Sequence, residues 1–306
     1  MTSSLPLAGL ELGGTKAICI LGTGPDDVRE RVQIPTGKPT ETFAAIREVF
    51  DRWRAGPGFA AIGISSFGPL DLDARSPTFG HMSGTPKPNW SGADVLGVTD
   101  GYGAPVSIDT DVNGAALAEA TWGGFRGLRS YAYVTVGTGL GVGTVVDGRT
   151  ITGLGHSEAG HMLPPRSKPD WPGCCPYHGA CVEGLASGAA IRARTGRSAG
   201  SLAPDDPAWD EVVEALALLF HNLVFTTAPE RILVGGGVIE GQPHLLPRIR
   251  KALVTSLAGY YSGARASADI DHYLAQPELG VQVGPLGALA KAHAALGNPE
   301  LRARRG

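Results

Sequence analysis

Three of the chain's four cysteines and one histidine fall within a single short stretch, C-C-P-Y-H-G-A-C from Cys174 to Cys181, while the remaining cysteine stands far away at Cys19. Thiolates and imidazoles packed this closely are ligands for a cation such as zinc. Read backwards from Cys181, the spacing is Cys175-x2-His178-x2-Cys181, and His161 in the upstream E-A-G-H adds a second nitrogen donor. Two sulfurs and two nitrogens suit tetrahedral Zn2+ with no open position, hence a structural site. Cys174 is then left over, and exchange of register between Cys174 and Cys175 is the alternative set. Adjacent cysteines are poor disulfide partners for each other, and in a reducing compartment clustered cysteines serve more often as metal ligands or reactive thiols. His81, His221, His244, His272 and His293 have no ligand-like companions in the sequence and read as ordinary surface or core residues.

A second set of residues could handle phosphate. E-L-G-G-T-K at Glu11–Lys16 and T-V-G-T-G-L-G-V-G from Thr135 each place glycines between apolar strands, and G-G-G-V at Gly235–Val238 follows another. Small side chains there let backbone N–H groups approach a phosphate closely, with Thr15, Thr138 and Lys16 as added donors. The plainer reading of either stretch alone is an ordinary hairpin turn, and with 45 glycines in the chain richness proves nothing. Neither the P-loop spacing nor a dinucleotide G-x-G-x-x-G opening a helix fits.

The elements that position these residues repeat. L-A-G-L-E-L and A-I-C-I-L-G read as strands joined by the glycine turn, a third strand follows near Val28–Ile34, and Thr40 can cap a helix over Glu41–Arg54, where Phe43, Ile46, Val49, Phe50 and Trp53 recur at helical spacing. F-A-A-I-G-I-S-S is a buried strand. A second copy starts at Y-A-Y-V-T-V, turns through G-T-G-L-G and returns as V-G-T-V-V with a hairpin signal at Asp147-Gly148. Between the copies, P-V-S-I-D predicts a strand and D-V-N-G-A-A-L-A-E-A-T-W a helix starting near Asp111. Later helices are expected around Gly184–Arg194, Trp209–Thr227 and Leu245–Ala258, with the strand R-I-L-V-G before the last of these.

Composition narrows the function classes. The 306 residues, 18% charged with a formal net charge of −3, favour a small ligand over a nucleic-acid backbone or an anionic membrane. Without a basic stretch leading into a long apolar run, the chain reads as a soluble cytoplasmic protein.

The duplicated pattern with G-G-T-K, G-T-G-L-G and G-G-G-V resembles the actin-like sugar kinases. E-A-G-H, the Cys/His cluster and E-G-L-A-S-G resemble, within them, the ROK (repressor, open reading frame, kinase) family over almost the whole chain. S-S-F-G-P-L-D-L, T-P-K-P-N-W and C-P-Y-H-G-A-C-V-E-G-L-A-S-G are closer to its bacterial zinc-containing fructokinases than to its glucokinases, which carry a C-x-C-G-x2-G-C type of cluster. The resemblance implies an α/β fold, an actin-like (ribonuclease H-like) duplication with two lobes and an interlobe cleft. The expected lobes are 1–122, with a C-terminal helix 285–297 packed back on it, and 123–306, carrying the zinc-binding loop 161–181.

The same resemblance implies ATP-dependent conversion of D-fructose to fructose 6-phosphate, with broader hexokinase, mannokinase or glucokinase activity as the alternative and a sugar-responsive regulator as the remote one. Asp111 matches the catalytic base, which a sugar hydroxyl needs as it attacks phosphorus. Locally it could equally be a helix N-cap, and Asp109 is a competing carboxylate that a continuing strand would turn to the other face. Thr110 stands where sugar-binding relatives usually carry Asn. Gly68, Pro69, Thr110, Asp111, Glu158, His161 and Glu183 are the implied sugar-binding set. Gly13, Gly14, Thr15, Lys16, Gly137, Thr138, Gly139, Ala189, Gly235, Gly236, Gly237, Val238 and Ile239 are the implied ATP set. Structural Zn2+ on His161, Cys175, His178 and Cys181, catalytic Mg2+ with Glu11 near it, and a homodimer complete the expectation.

Overall fold

The computed structural model of the chain describes residues 5–297. The outer ends of both expected lobes, 1–4 and 298–306, lie outside the described residues. In chain order the first elements are β1 (Leu7–Leu12), β2 (Lys16–Gly24), β3 (Asp27–Pro35), α1 (Pro39–Ala55), β4 (Ile62–Ser66), β5 (Val106–Thr110) and α2 (Asp111–Trp122). Then come β6 (Tyr131–Val136), β7 (Leu140–Val146), β8 (Arg149–Thr150), α3 (Val182–Ala186), α4 (Gly188–Thr195), α5 (Ala208–Thr226) and β9 (Arg231–Gly235). The last are α6 (Gly237–Gly241), α7 (Leu245–Leu257), α8 (Ser262–Ala268), α9 (Ile270–Tyr273), β10 (Leu274–Ala275) and α10 (Val283–Gly297).

The chain divides into two compact units. Unit one holds the described residues up to Arg126, Ile151–His156 and the described residues from Leu279; unit two holds Gly127–Thr150 and Ser157–Glu278. The first crossing therefore lies four residues beyond the expected 122/123 boundary, and the second unit is not continuous to the C-terminus. The cause is Glu119, wholly buried on α2: its carboxylate accepts from Gly124 N (2.7 Å) and Leu279 N (2.9 Å), fastening both stretches to unit one.

Each unit is built on a five-stranded sheet, ordered β3-β2-β1-β4-β5 in one and β8-β7-β6-β9-β10 in the other. In both, the first two pairings are antiparallel and the last two parallel, so the duplication read from the sequence is present strand for strand. β3 is an edge strand and carries Arg29, Glu30 and Arg31, which suits an edge that must not pair with another chain. The β7–β8 hairpin turns at Asp147 and Gly148, both at positive φ, as its D-G signal requires.

Two helix starts differ from expectation. α1 begins at Pro39 with Lys38 as N-cap, so Thr40 lies inside the first turn and does not cap it; proline is well suited to that first position because it has no N–H to satisfy. The helix expected over Gly184–Arg194 is two helices, broken at Ser187, which is extended and accepts at its Oγ from Ala190 N (3.1 Å). The break follows from the turn before β7: Gly188 N and Ala189 N donate to Gly137 O (2.7 Å) and Thr138 O (3.2 Å) instead of continuing a helix.

In unit one α10 lies against β1, β2, β4, β5 and α2. Close approach depends on Gly63, where a Cβ would collide with the α10 backbone at Ala288 O and Ala292 N. The second unit's core is centred on Trp209, Leu216, Phe220, Val234 and Ile249. No described helix is long and apolar enough to cross a membrane. Because Gly63 meets main chain and not a yielding side chain, Gly63→Ala is expected to destabilise the protein by about 2–3 kcal/mol. Urea unfolding measures it, and an unchanged midpoint would refute this packing account.

Candidate active site and metal centre

In unit two, His161 ends a short 3-10 turn over Ala159–His161, Cys175 and Gly179 form a tight bridge with His178 between them, and Cys181 is the N-cap of α3. These three local structures bring four donor atoms within 4.8 Å of one another. Cys175 Sγ lies 3.7 Å from both His161 Nδ1 and His178 Nδ1, and Cys181 Sγ lies 3.5 Å from His161 Nδ1. Zinc at ordinary sulfur and nitrogen bond lengths in a tetrahedron would set S···N edges of about 3.6 Å, so the donor set fits that ion. Burial pushes the Cys181 thiol up to about 12. Cys174 stands outside the group and offers its backbone N–H to Gly184 O (3.0 Å), so it is Cys175 whose thiol packs with the two histidines.

The segment leading into this knot is held by a buried carboxylate that the sequence reading missed. Glu211 on α5 pairs with Arg166, ahead of the cysteines, and with Arg194 on α4. No local motif marks it, because the three residues are distant in sequence.

Two residues past Cys181, Glu183 Oε2 accepts from Leu140 N (3.0 Å), the first residue of β7. The Cys/His knot is thereby tied to the Gly137–Gly139 turn. That turn is polarised. All three of its carbonyls are occupied, Gly137 O by Gly188 N, Thr138 O by Ala189 N and Gly139 O by Gly137 N. Among the described residues no acceptor takes the N–H of Thr138 or Gly139, both exposed. Gly236, at φ 93°, packs directly on the Val136 backbone and places the Gly235–Gly237 run beside the same turn. Val238 and Ile239 differ from the rest of the implied nucleotide set: both side chains are in the core, leaving only their main chain to meet a ligand. Ala189 is exposed at the start of α4, and Glu158 is exposed ahead of His161.

In unit one, Thr110 is the N-cap of α2, its Oγ1 accepting from Asn113 N (3.3 Å), so Asp111 is not the cap. Asp111 is half-buried at the first helical position, with Oδ1 accepting from Val112 N (2.8 Å). Asp109 is occupied elsewhere, by Lys291 of α10 (3.2 Å) and Asn113 Nδ2 (2.7 Å). Glu11 is pushed up to about 7, first by burial, then by the charge of Asp111, against Lys16 and Arg31; its Oε2 is buried without a hydrogen-bond partner. Such an orphaned oxygen suits a hydrated cation. Gly68 and Pro69 follow β4, and Leu70 N donates to His156 Nε2 (3.1 Å), a histidine that sequence reasoning passed over because no motif surrounds it. The Gly13–Lys16 turn is exposed at Gly14, Thr15 and Lys16.

The raised Glu11 sets a pH dependence. Its folded value of about 7 exceeds the ordinary 4.5, so the stability it contributes is complete below 4.5 and is lost as pH rises through 7. Glu11→Gln, neutral throughout, should gain on the parent protein by up to about 2 kcal/mol between pH 4.5 and 8, after discounting for partial exposure. Urea unfolding across that range measures it, and a pH-independent difference would contradict the placement of Glu11.

Comparison with known proteins gives the lineage of this arrangement. The ROK family model matches residues 7–295. A fructokinase of Zymomonas mobilis is 41% identical over 94% of this chain and 96% of its own, and a fructokinase of Pediococcus pentosaceus 36% identical over 95% and 99%. Among solved structures, the ROK hexokinase of Thermus thermophilus is similar with a TM-score of 0.74 and 27% identity, covering 95% of this chain and 99% of that one. The paired five-stranded sheets, the two glycine turns and the matched span together place this chain in the ROK family.

Proposed function

We propose that the chain is an ATP-dependent fructokinase that converts D-fructose to D-fructose 6-phosphate. The observation that carries the reading is the near full-length likeness to the two fructokinases, joined to a carboxylate at Asp111 that neither caps its helix nor pairs with Lys291. Asp111 takes the proton from the sugar's 6-hydroxyl as that oxygen attacks the γ-phosphorus in line. The new O–P bond forms while the bond to the bridging β,γ-oxygen breaks, and ADP leaves with that electron pair. Thr110, with Gly68 and Pro69, shapes the sugar side of unit one. In unit two Glu158, His161 and Glu183 accept from or donate to the remaining hydroxyls, an arrangement that penalises analogues lacking them.

The open N–H groups of Gly14, Thr15, Thr138 and Gly139 are suited to phosphate oxygens, with Lys16, Ala189 and the Gly235–Gly237 run beside their respective turns. Magnesium, when bound with the nucleotide, supplies charge neutralisation on the phosphates, and Glu11, whose Oε2 has no hydrogen-bond partner, would hold it through water. Zinc, when bound, supplies a rigid cross-link and no bond-breaking chemistry; its holders are His161, Cys175, His178 and Cys181. Because both histidines turn Nδ1 to the other ligands, the Nε2 atom of His161 is left for other partners. A cytoplasmic homodimer completes the proposal, and sedimentation of the purified protein tests the dimer.

Coupled assays with fructose, mannose and glucose should show fructose preferred in kcat/KM, and comparable efficiency on glucose would defeat the assignment. Asp111→Asn should lower kcat by about 10²- to 10⁴-fold while sugar binding persists; retained turnover would remove Asp111 as base. Metal analysis should find one zinc per chain in the parent and in Cys174→Ser, and loss of it in Cys175→Ser and Cys181→Ser. Zinc retained in both of the latter would refute the ligand set.

A further inference from the structure

The loop T-P-K-P-N-W, Thr85–Trp90, has no role in the chemistry above, yet in unit one it grips the first glycine turn. Trp90 is wholly buried, donates from Nε1 to Gly37 O (3.0 Å), and sits edge-on against Phe43 and Phe67 at ring distances of 5.4 and 5.3 Å. From that anchor Lys87 extends its Nζ to Gly14 O (2.7 Å) and Thr36 O (3.2 Å). Thr36 holds the neighbouring carbonyls, its Oγ1 donating to Gly13 O (2.8 Å) and its N–H to Thr15 O (3.0 Å).

Every carbonyl of Gly13, Gly14 and Thr15 is thus occupied by a protein donor. Among the described residues, no acceptor takes the N–H of Gly14 or Thr15, and a Cβ on Gly14 would meet nothing within 4 Å. Lone pairs are held on one side and N–H groups are left open on the other, which is the polarity a phosphate requires. The corresponding turn in unit two reaches the same state with backbone donors alone, Gly137 N, Gly188 N and Ala189 N. In unit one the Gly14 carbonyl depends on an ammonium, whose charge-assisted bond is stronger than a neutral one.

We propose that Lys87 is a positioning residue for nucleotide phosphate binding: by holding Gly14 O it fixes the Gly13–Lys16 turn with its N–H groups presented to the phosphates. This deepens the kinase reading and rests on it. Lys87 acts through the turn and touches no reacting atom.

Steady-state kinetics on full-length zinc-replete protein test it, comparing the parent with Lys87→Met and Lys87→Arg, alongside thermal melts. Lys87→Met should raise the KM for MgATP about tenfold, with kcat and the fructose KM unchanged and the melting midpoint held, and Lys87→Arg should recover most of the loss. An unchanged MgATP KM in Lys87→Met overturns the proposal, as does a rise in both KM values that tracks a lowered midpoint. If the parent phosphorylates no sugar, the fructokinase reading fails by itself. Calorimetric titration with a non-hydrolysable ATP analogue then decides Lys87: weakened binding in Lys87→Met supports its role, and equal binding removes it.

Discussion

One hydrogen bond, from Leu140 N to Glu183 Oε2 at 3.0 Å, joins the two chemically distinctive parts of unit two. On one side of it is the Cys/His knot, where Cys181 caps α3 and so fixes the start of the helix that carries Glu183. On the other is the Gly137–Gly139 turn, whose Gly137 and Thr138 carbonyls are taken by the first residues of α4. A carboxylate acting as a strut loses some freedom to act as a sugar clamp, yet it accepts at one oxygen here and retains lone pairs for more. A cation held by the Cys/His knot would therefore steady the Gly137–Gly139 turn through Glu183 without any chemistry of its own.

Charge allocation in unit one follows a similar economy. Three carboxylates lie on or just beyond strands β1 and β5, and each has a different fate. Asp109 is neutralised by Lys291 of α10, Glu11 is buried with an unpartnered oxygen and is raised towards neutrality, and Asp111 remains half-buried at the helix start. Glu11 and Asp111 repel each other, so ionising both is unfavourable unless positive charge intervenes. A cation bound beside them would relieve that conflict.

Much of this was legible in the residues. The strand-turn-strand units around G-G-T-K and G-T-G-L-G announced themselves by apolar runs on either side of glycines, and the C-x2-H-x2-C spacing marked a ligand cluster while leaving Cys174 as the alternative to Cys175, which only the packing of Cys175 against both histidines separates. Thr40 was misread because the proline before it takes the first helical position, and helix Gly184–Arg194 was read as continuous because its break is imposed by the carbonyls of Gly137 and Thr138, far away in sequence. Glu119, His156 and Glu211 escaped notice, and Lys87 was seen only as part of T-P-K-P-N-W, for one shared reason: each gains its meaning from a partner distant in sequence, Leu279, Leu70, Arg166 and Gly14 respectively, and local pattern carries no trace of such pairings.

The central claim is that the metal knot holds the second glycine turn through Glu183. Amide hydrogen exchange at Leu140, compared between zinc-replete and chelator-stripped protein, tests it most directly. The account predicts faster exchange at Leu140 on stripping, with the Gly13–Lys16 turn unchanged. Equal protection of Leu140 in both forms would contradict it.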